Sequence, residues 1–293
     1  MGKNALILGG GGVLGISWET GVLAGLRDGG ADVTQADLFV GTSAGSVVST
    51  RLAQGTSIES LVAEQGAPTD GKLEEAMAKV DLPSMLRVFQ RWESYQTMTQ
   101  ETCAEVGRMA LAAQTASEPE WLEWFESQIG TEWPDRNLRL TAVDAETGEF
   151  RAWSRDDGVD VRHAVASSCA VPGIFPCVTI NGRRYQDGGV RSGTCAWLAE
   201  GFQNVLIIAP IGSGSSGIDP LLGRMTNREV GELRDAGANV ELVYPDDATL
   251  EIFGINRMDN AKRPQAVEAG VAQGREIAGR VQQMWTAHAA APR

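Results

Sequence analysis

The residues best suited to chemistry are one serine and two glycine-rich runs. Ser43 sits in Gly41-Thr42-Ser43-Ala44-Gly45, a GxSxG spacing with an apolar run before it and a helix-like stretch after it. On such a strand-to-helix turn a serine is strained and exposed, and small neighbours let the backbone bend sharply. It becomes a nucleophile for acyl transfer once a base takes its proton. Upstream, Gly10-Gly11-Gly12-Val13-Leu14-Gly15 also joins an apolar run to a helix-like stretch. A row of backbone N–H groups at a helix N-terminus stabilises negative charge. Gly10, Gly12 and Gly15 satisfy GxGxxG, the dinucleotide fingerprint, as well. That fingerprint wants an acid at the end of the second strand, whereas Asp37 stands at its start and the far end reads Val40-Gly41-Thr42.

The base is less obvious. There are two histidines, His163 and His288. His288 lies in a tail, 288–293, that is expected to fray. His163 lies in Asp160-Val161-Arg162-His163, on a helix-like stretch before Ser167-Ser168, where a partly exposed surface histidine is the plain alternative. Asp187, followed by Gly188 and Gly189, is the better candidate, because two glycines after an acid permit close backbone approach to another loop. A DGG on its own is also a common turn.

These residues need elements to position them. Ala5 to Leu8 and Leu38 to Val40 are short apolar runs, each followed by glycine and then by helical spacing, and two such crossovers argue for a parallel sheet with helices on its faces. Residues 57–135 read as a helical insert, punctuated by Pro68, Gly71, Pro83 and Pro119. Beyond Pro134, Leu138, Leu140 and Ala142 alternate with polar neighbours and Phe150 to Trp153 returns, a predicted hairpin. Val178 to Ile180 and Arg184 to Gln186 flank Asn181-Gly182, the strongest short hairpin signal. Val205 to Ala209 and Val240 to Tyr244 are further apolar strands. One domain over 1–293 is expected, since no linker or internal repeat divides the chain.

Composition narrows the partners. Lys plus Arg is 25 and Asp plus Glu is 38, a net charge of −13, which repels phosphate backbones. Nucleic acid and strongly anionic membranes are therefore disfavoured. Cys103, Cys169, Cys177 and Cys195 contain no CxxC pair, so they read as reduced core thiols, and neither a metal nor another cofactor is expected. The N-terminus lacks the apolar length of a signal peptide, Leu6 breaks the myristoylation pattern, and no run reaches a membrane span. A cytoplasmic location follows as an expectation; the oligomeric state is left open. Glycine, at 35 of 293 residues, exceeds average usage of roughly 7%.

Taken in order, GGGxxG, GxSxG about 30 residues on and DGG about 140 residues after that resemble the patatin-like phospholipases. Ala166-Ser167-Ser168-Cys169-Ala170-Val171-Pro172 resembles that family's AS-x-A-x-P segment, and Val243-Tyr244-Pro245-Asp246 and Phe253-Gly254-Ile255-Asn256 resemble late family segments. The resemblance implies a three-layer α/β/α fold with a mainly parallel central sheet. It implies Ser43 as nucleophile, Asp187 as general base without histidine, and an oxyanion hole of backbone N–H groups of Gly11 and Gly12 with Gly10. Gly15, Gly41, Gly45, Gly188 and Gly189 support the motifs. Leu14 stands where the family usually carries Arg or Lys, which puts head-group anchoring at that position in doubt. The implied activity is hydrolysis of lipid acyl esters, with transient contact at neutral membrane surfaces. Small-ester hydrolysis or acyl transfer by the same dyad, a nucleotide-binding module, and a non-catalytic scaffold are the alternatives. The insert, with Trp92, Trp121, Trp124, Trp133, Met85, Met98 and Met109, is expected either to contact substrate or to be ordinary core. Glu118, Glu120, Glu123 and Glu126 are expected to form a solvated face.

Overall fold

The computed structural model describes residues 3–287; His288 and the tail expected to fray lie outside them. Eight strands form one sheet: β1 (Asn4–Leu8), β2 (Leu38–Gly41), β3 (Leu138–Asp144), β4 (Phe150–Trp153), β5 (Val178–Ile180), β6 (Arg183–Asp187), β7 (Asn204–Ile208) and β8 (Asn239–Val243). The order is β5-β6-β3-β2-β1-β7-β8, with β4 also paired to β3. The five strands from β3 to β8 run parallel, whereas β4, β5 and β6 pair antiparallel. The sheet is therefore mixed around a parallel centre. The Asn-Gly hairpin forms as its sequence demands, with Asn181 at φ 52° and Gly182 at φ 78°, the left-handed pair that a tight two-residue turn needs.

The helices are α1 (Gly12–Asp28), α2 (Ala44–Ala53), α3 (Ile58–Gly66), α4 (Lys72–Met77), α5 (Leu82–Glu93), α6 (Gln100–Ala112), α7 (Glu118–Ile129), α8 (Val161–Ser168), α9 (Asp219–Asp235), α10 (Asp247–Phe253) and α11 (Arg263–Thr286). Pro83 and Pro119 stand in the first turns of α5 and α7, where the missing N–H costs nothing. Asp81 caps α5, and the Thr99 and Ser117 capping boxes start α6 and α7.

Alternation along the central strands sorts the two faces. Leu6, Leu8, Phe39, Leu206 and Ile208 join the core of α1, α2 and α11, whereas Ala5, Ile7, Val40, Val205 and Ile207 pack toward α9. A strand buried on both faces reads as continuous hydrophobicity, which is how β1, β2 and β7 read. The pair α1 and α11 accounts for glycines with no chemical role. A Cβ at Gly21 would lie 2.3 Å from the Val267 carbonyl oxygen, and one at Gly25 would lie 2.2 Å from that of Val271. Only bare backbone lets these two helices approach so closely, and their contact fixes α1 behind the glycine loop.

Candidate active site

Strand pairing alone brings the two candidate groups together. At Leu140, β3 pairs with both β2 and β4; at Ala142 and Val143 it pairs with both β4 and β6. A strand has two edges, so β2 and β6 must share the edge opposite β4. They approach along it head to head, β2 ending at Gly41 opposite Leu140 and β6 ending at Asp187 opposite Ala142. Thr141 sits between the two ends, its Oγ1 2.8 Å from Thr42 Oγ1. Gly188 has no room for a side chain, since its Cβ would lie 2.1 Å from that same Thr141 Oγ1.

Ser43 follows β2 with φ 52° and ψ −120°, a left-handed conformation that costs about 1–3 kcal/mol for a residue with a side chain. The surroundings hold it there. Thr42 N–H donates to Leu8 O at 3.1 Å and Gly45 N–H to Gly9 O at 2.9 Å. Ser43 N–H donates to Ser168 Oγ at 3.0 Å, and Ser46 Oγ donates to Ser43 O at 2.6 Å. Gly45 is the tightest point, where a Cβ would lie 2.0 Å from Leu8 O.

Asp187 is buried. Its Oδ1 accepts from Gly189 N–H at 2.7 Å, and its own N–H donates to Ala170 O at 3.0 Å. Burial pushes its carboxyl up to about 7, against the opposing pull of hydrogen bonding from Ser43 and Gly189. A carboxylate with that affinity for protons is matched to general-base work near neutral pH.

The glycine loop passes over the same place, and a Cβ at Gly10 would meet Ser43 Cβ at 3.5 Å. The expectation for Gly10 is corrected here. Its N–H donates to Gly193 O at 2.9 Å and is spent. The N–H groups of Gly11 and Gly12 have no acceptor among the described residues, and Gly12 stands at φ 65°, a backbone shape that suits glycine. At Gly15, α1 lies against Pro210 and Ala44, where a Cβ would make contacts of 3.4 Å. Leu14 is fully buried, so its side chain faces the core rather than a head group, and its N–H donates to Arg257 O at 3.0 Å.

Several supporting residues carried no signal in the sequence. Glu229 of α9 is buried and accepts from Ser192 Oγ at 2.6 Å, Thr194 Oγ1 at 2.9 Å and Ala196 N–H at 2.7 Å. It thereby holds the 192–196 loop whose Gly193 carbonyl anchors Gly10. Glu19 of α1 is fully buried behind the loop, its carboxylate oxygens without a hydrogen-bond partner among the described residues, and desolvation pushes its carboxyl well above the usual range. His163 is engaged elsewhere: its Nδ1 lies 2.7 Å from Asp160 Oδ2 at the start of α8, while Ser168, at the other end of that helix, is the residue that meets Ser43. Among the described residues no group of three His, Cys, Asp or Glu side chains forms a metal cage, and all four cysteines are buried and free.

The sequence model of the patatin-like phospholipases matches residues 6–199. The chain belongs to this family, whose members hydrolyse lipid acyl esters. The match contains all four motif blocks; the two late segments after Leu242 fall outside it. Among solved structures, the patatin-like chain is similar to VipD from Legionella pneumophila, at 13% identity and TM-score 0.48, covering 95% of this chain and 67% of that one. It is similar also to the type III effector protein ExoU, at 14% identity and TM-score 0.42, covering 98% and 54%. Full-length ExoU in complex with SpcU from Pseudomonas aeruginosa gives 15% identity and TM-score 0.42, covering 96% and 53%. The chain thus spans about two thirds of VipD and about half of ExoU. No curated protein sequence matches it significantly.

Proposed function

We propose that this patatin-like protein is a serine acyl hydrolase that cleaves carboxylic esters of lipids through a Ser43–Asp187 dyad. Asp187 takes the hydroxyl proton as Ser43 Oγ attacks the ester carbonyl, and the N–H groups of Gly11 and Gly12 hold the developing oxyanion. The tetrahedral intermediate collapses, the C–O bond to the alcohol breaks, and the alcohol leaves with the proton from Asp187. Water then attacks the acyl-serine, giving its proton to Asp187, and the carboxylic acid departs as Ser43 recovers its hydrogen.

The observation that carries this reading is the meeting of β2 and β6 on one edge of β3, which sets a buried aspartate, pushed up to about 7, against a strained serine. Exposed apolar side chains support contact with a lipid surface. Leu82 and Leu86 of α5 are exposed, on the helix whose Met85 and Val88 pack against Gly173. Ile255 is fully exposed in the loop whose Arg257 and Met258 cover Gly12. No helix among the described residues is long and apolar enough to cross a membrane.

A fluorophosphonate probe tests the assignment. It is expected to label the wild type and not Ser43→Ala; a folded wild type that stays unlabelled overturns the reading. Asp187→Asn is expected to abolish ester turnover while His163→Ala keeps it. Because the base must be ionised, kcat/KM is expected to rise with pH through about 7 and then level off; a flat profile down to pH near 4, the ordinary carboxylate range, removes Asp187 as the base.

A further inference from the structure

The glycine loop is gripped from two sides by segments that lie beyond the residues 6–199 matched by the family model. On one side stands Pro210, just after β7: a Cβ at Gly11 would lie 2.5 Å from Pro210 Cβ. On the other side is the loop between α10 and α11. A Cβ at Gly12 would lie 2.9 Å from Met258 Sδ and 3.0 Å from Arg257 O, and that same carbonyl accepts from Leu14 N–H at 3.0 Å. The first N–H groups of a helix have no partner within it. At the start of α1, Leu14 N–H is satisfied by Arg257 and Gly15 N–H turns back to Gly11 O at 3.0 Å, while the N–H groups of Gly11 and Gly12 stay unspent among the described residues.

One side chain ties the two sides together. Arg257 Nη1 donates to Pro210 O at 3.0 Å, and Nη2 donates to Asp219 Oδ2 at 3.0 Å and to Oδ1 at 3.3 Å. Asp219 Oδ1 also accepts from Gly212 N–H at 2.8 Å and from Gly214 N–H at 3.3 Å, so the carboxylate shapes the loop that Pro210 begins. Arg257 Cζ lies 4.9 Å from the centre of the Phe253 ring, which meets Trp18 of α1 edge-on at 6.4 Å. The side chains of Arg257 and Asp219 are only 18% and 12% exposed. In such a place a planar guanidinium holds several acceptors in fixed directions, which the single ammonium of a lysine does not.

We propose that Arg257 is a positioning residue for ester hydrolysis: clamped by Asp219 and the Pro210 carbonyl, it sets its own carbonyl against Leu14 N–H and Gly12, and so aims the N–H groups of Gly11 and Gly12 at the oxyanion formed at Ser43. The inference rests on Ser43 being the nucleophile and on those two groups holding the oxyanion. It gives the C-terminal third of the chain a part in the reaction. A donor removed outright costs roughly 10²–10³ in rate; a donor that remains but is poorly aimed costs less.

The experiment compares Arg257→Lys, Asp219→Asn and the double variant with the wild type, each as the full chain. Lysine keeps the charge but cannot hold Asp219 and Pro210 O together, and asparagine keeps an acceptor for Gly212 and Gly214. Three quantities are measured: kcat and KM on a nitrophenyl ester, the rate and final extent of fluorophosphonate labelling, and inhibition by an alkyl trifluoromethyl ketone, whose hemiketal oxygen takes the oxyanion's place. Each single variant is expected to lose roughly tenfold in kcat with KM little changed, to label to the wild-type extent at a rate lowered in proportion, and to bind the ketone roughly tenfold more weakly. The double variant is expected to lose no more than the weaker single, because both substitutions act through one clamp. If Arg257→Lys does not fold, Asp219→Asn provides the same reading. Folded variants that melt at a lower temperature yet keep wild-type kcat, labelling rate and ketone affinity overturn the clamp and leave the dyad standing. A lower extent of labelling at the wild-type rate does the same, since it reports fewer folded molecules. A folded wild type that is unlabelled and turns over no ester overturns both.

Discussion

The nucleophile end of the sheet and the helical insert are stabilised by different means. Around Ser43 the backbone is over-determined: Ser43 is fixed by a hydrogen bond to Ser168, and Thr42, Gly45, Gly9 and Gly10 by bonds to β1, Gly9, β7 and the 193 loop, and side chains are excluded where strands end. In the insert, Trp121 stacks on Phe175 with ring centroids 4.0 Å apart and bonds Ala166 O at 3.1 Å, while the outer surface is laced by Lys72–Glu123, Lys79–Glu120 and Arg91–Glu105 pairs. A strained turn survives only where its surroundings leave it no alternative. A helical cover needs only packing with the right volume.

Substitutions can break or sharpen this contrast. The largest effect is expected at Gly45, where alanine would drive Cβ into the Leu8 carbonyl. A displacement near 1 Å is enough to cost ~10² in rate, so Gly45→Ala is expected to lose at least that in kcat/KM and to melt several degrees lower by calorimetry; full activity would show that the turn is not rigid. Next is Glu229. Glu229→Ala removes three bonds from the loop that anchors Gly10, and steady-state kinetics are expected to show kcat reduced roughly tenfold with KM little changed. Glu229→Gln, which keeps an acceptor for Thr194 and Ala196, is expected to recover most of it; equal losses in both variants would assign Glu229 to stability alone. The smallest effect is expected in the insert's exposed pairs. Lys79→Ala is expected to shift the melting temperature by no more than about a degree, and a larger drop would mean that the insert is held by its charges rather than its tryptophans.

Of the insert's side chains expected either to contact substrate or to be ordinary core, Trp92 and Trp121 are core, Met98 is fully buried, and Trp124 packs partly buried against Trp121. The glutamates are not merely solvated, since Glu120 and Glu123 meet lysines and Glu118 accepts from Thr179. Periodicity marked these stretches as helices but could not say which face would be covered, because that depends on the elements that return from elsewhere in the chain.

What the sequence determined by itself is local. The GxSxG turn, the glycine loop and the Asn-Gly hairpin are each specified within a few residues, because φ and ψ preferences and the absence of a side chain act at short range. The tertiary structure decided what acts at long range. It set Asp187 against Ser43 through the shared edge of β3, gave Ser168 to the Ser43 N–H across 125 positions, paired Gly10 with Gly193, and buried Leu14 in the core. The raised proton affinity of Asp187 belongs to the same class, since desolvation comes from every element packed around the carboxyl and is written in no single segment.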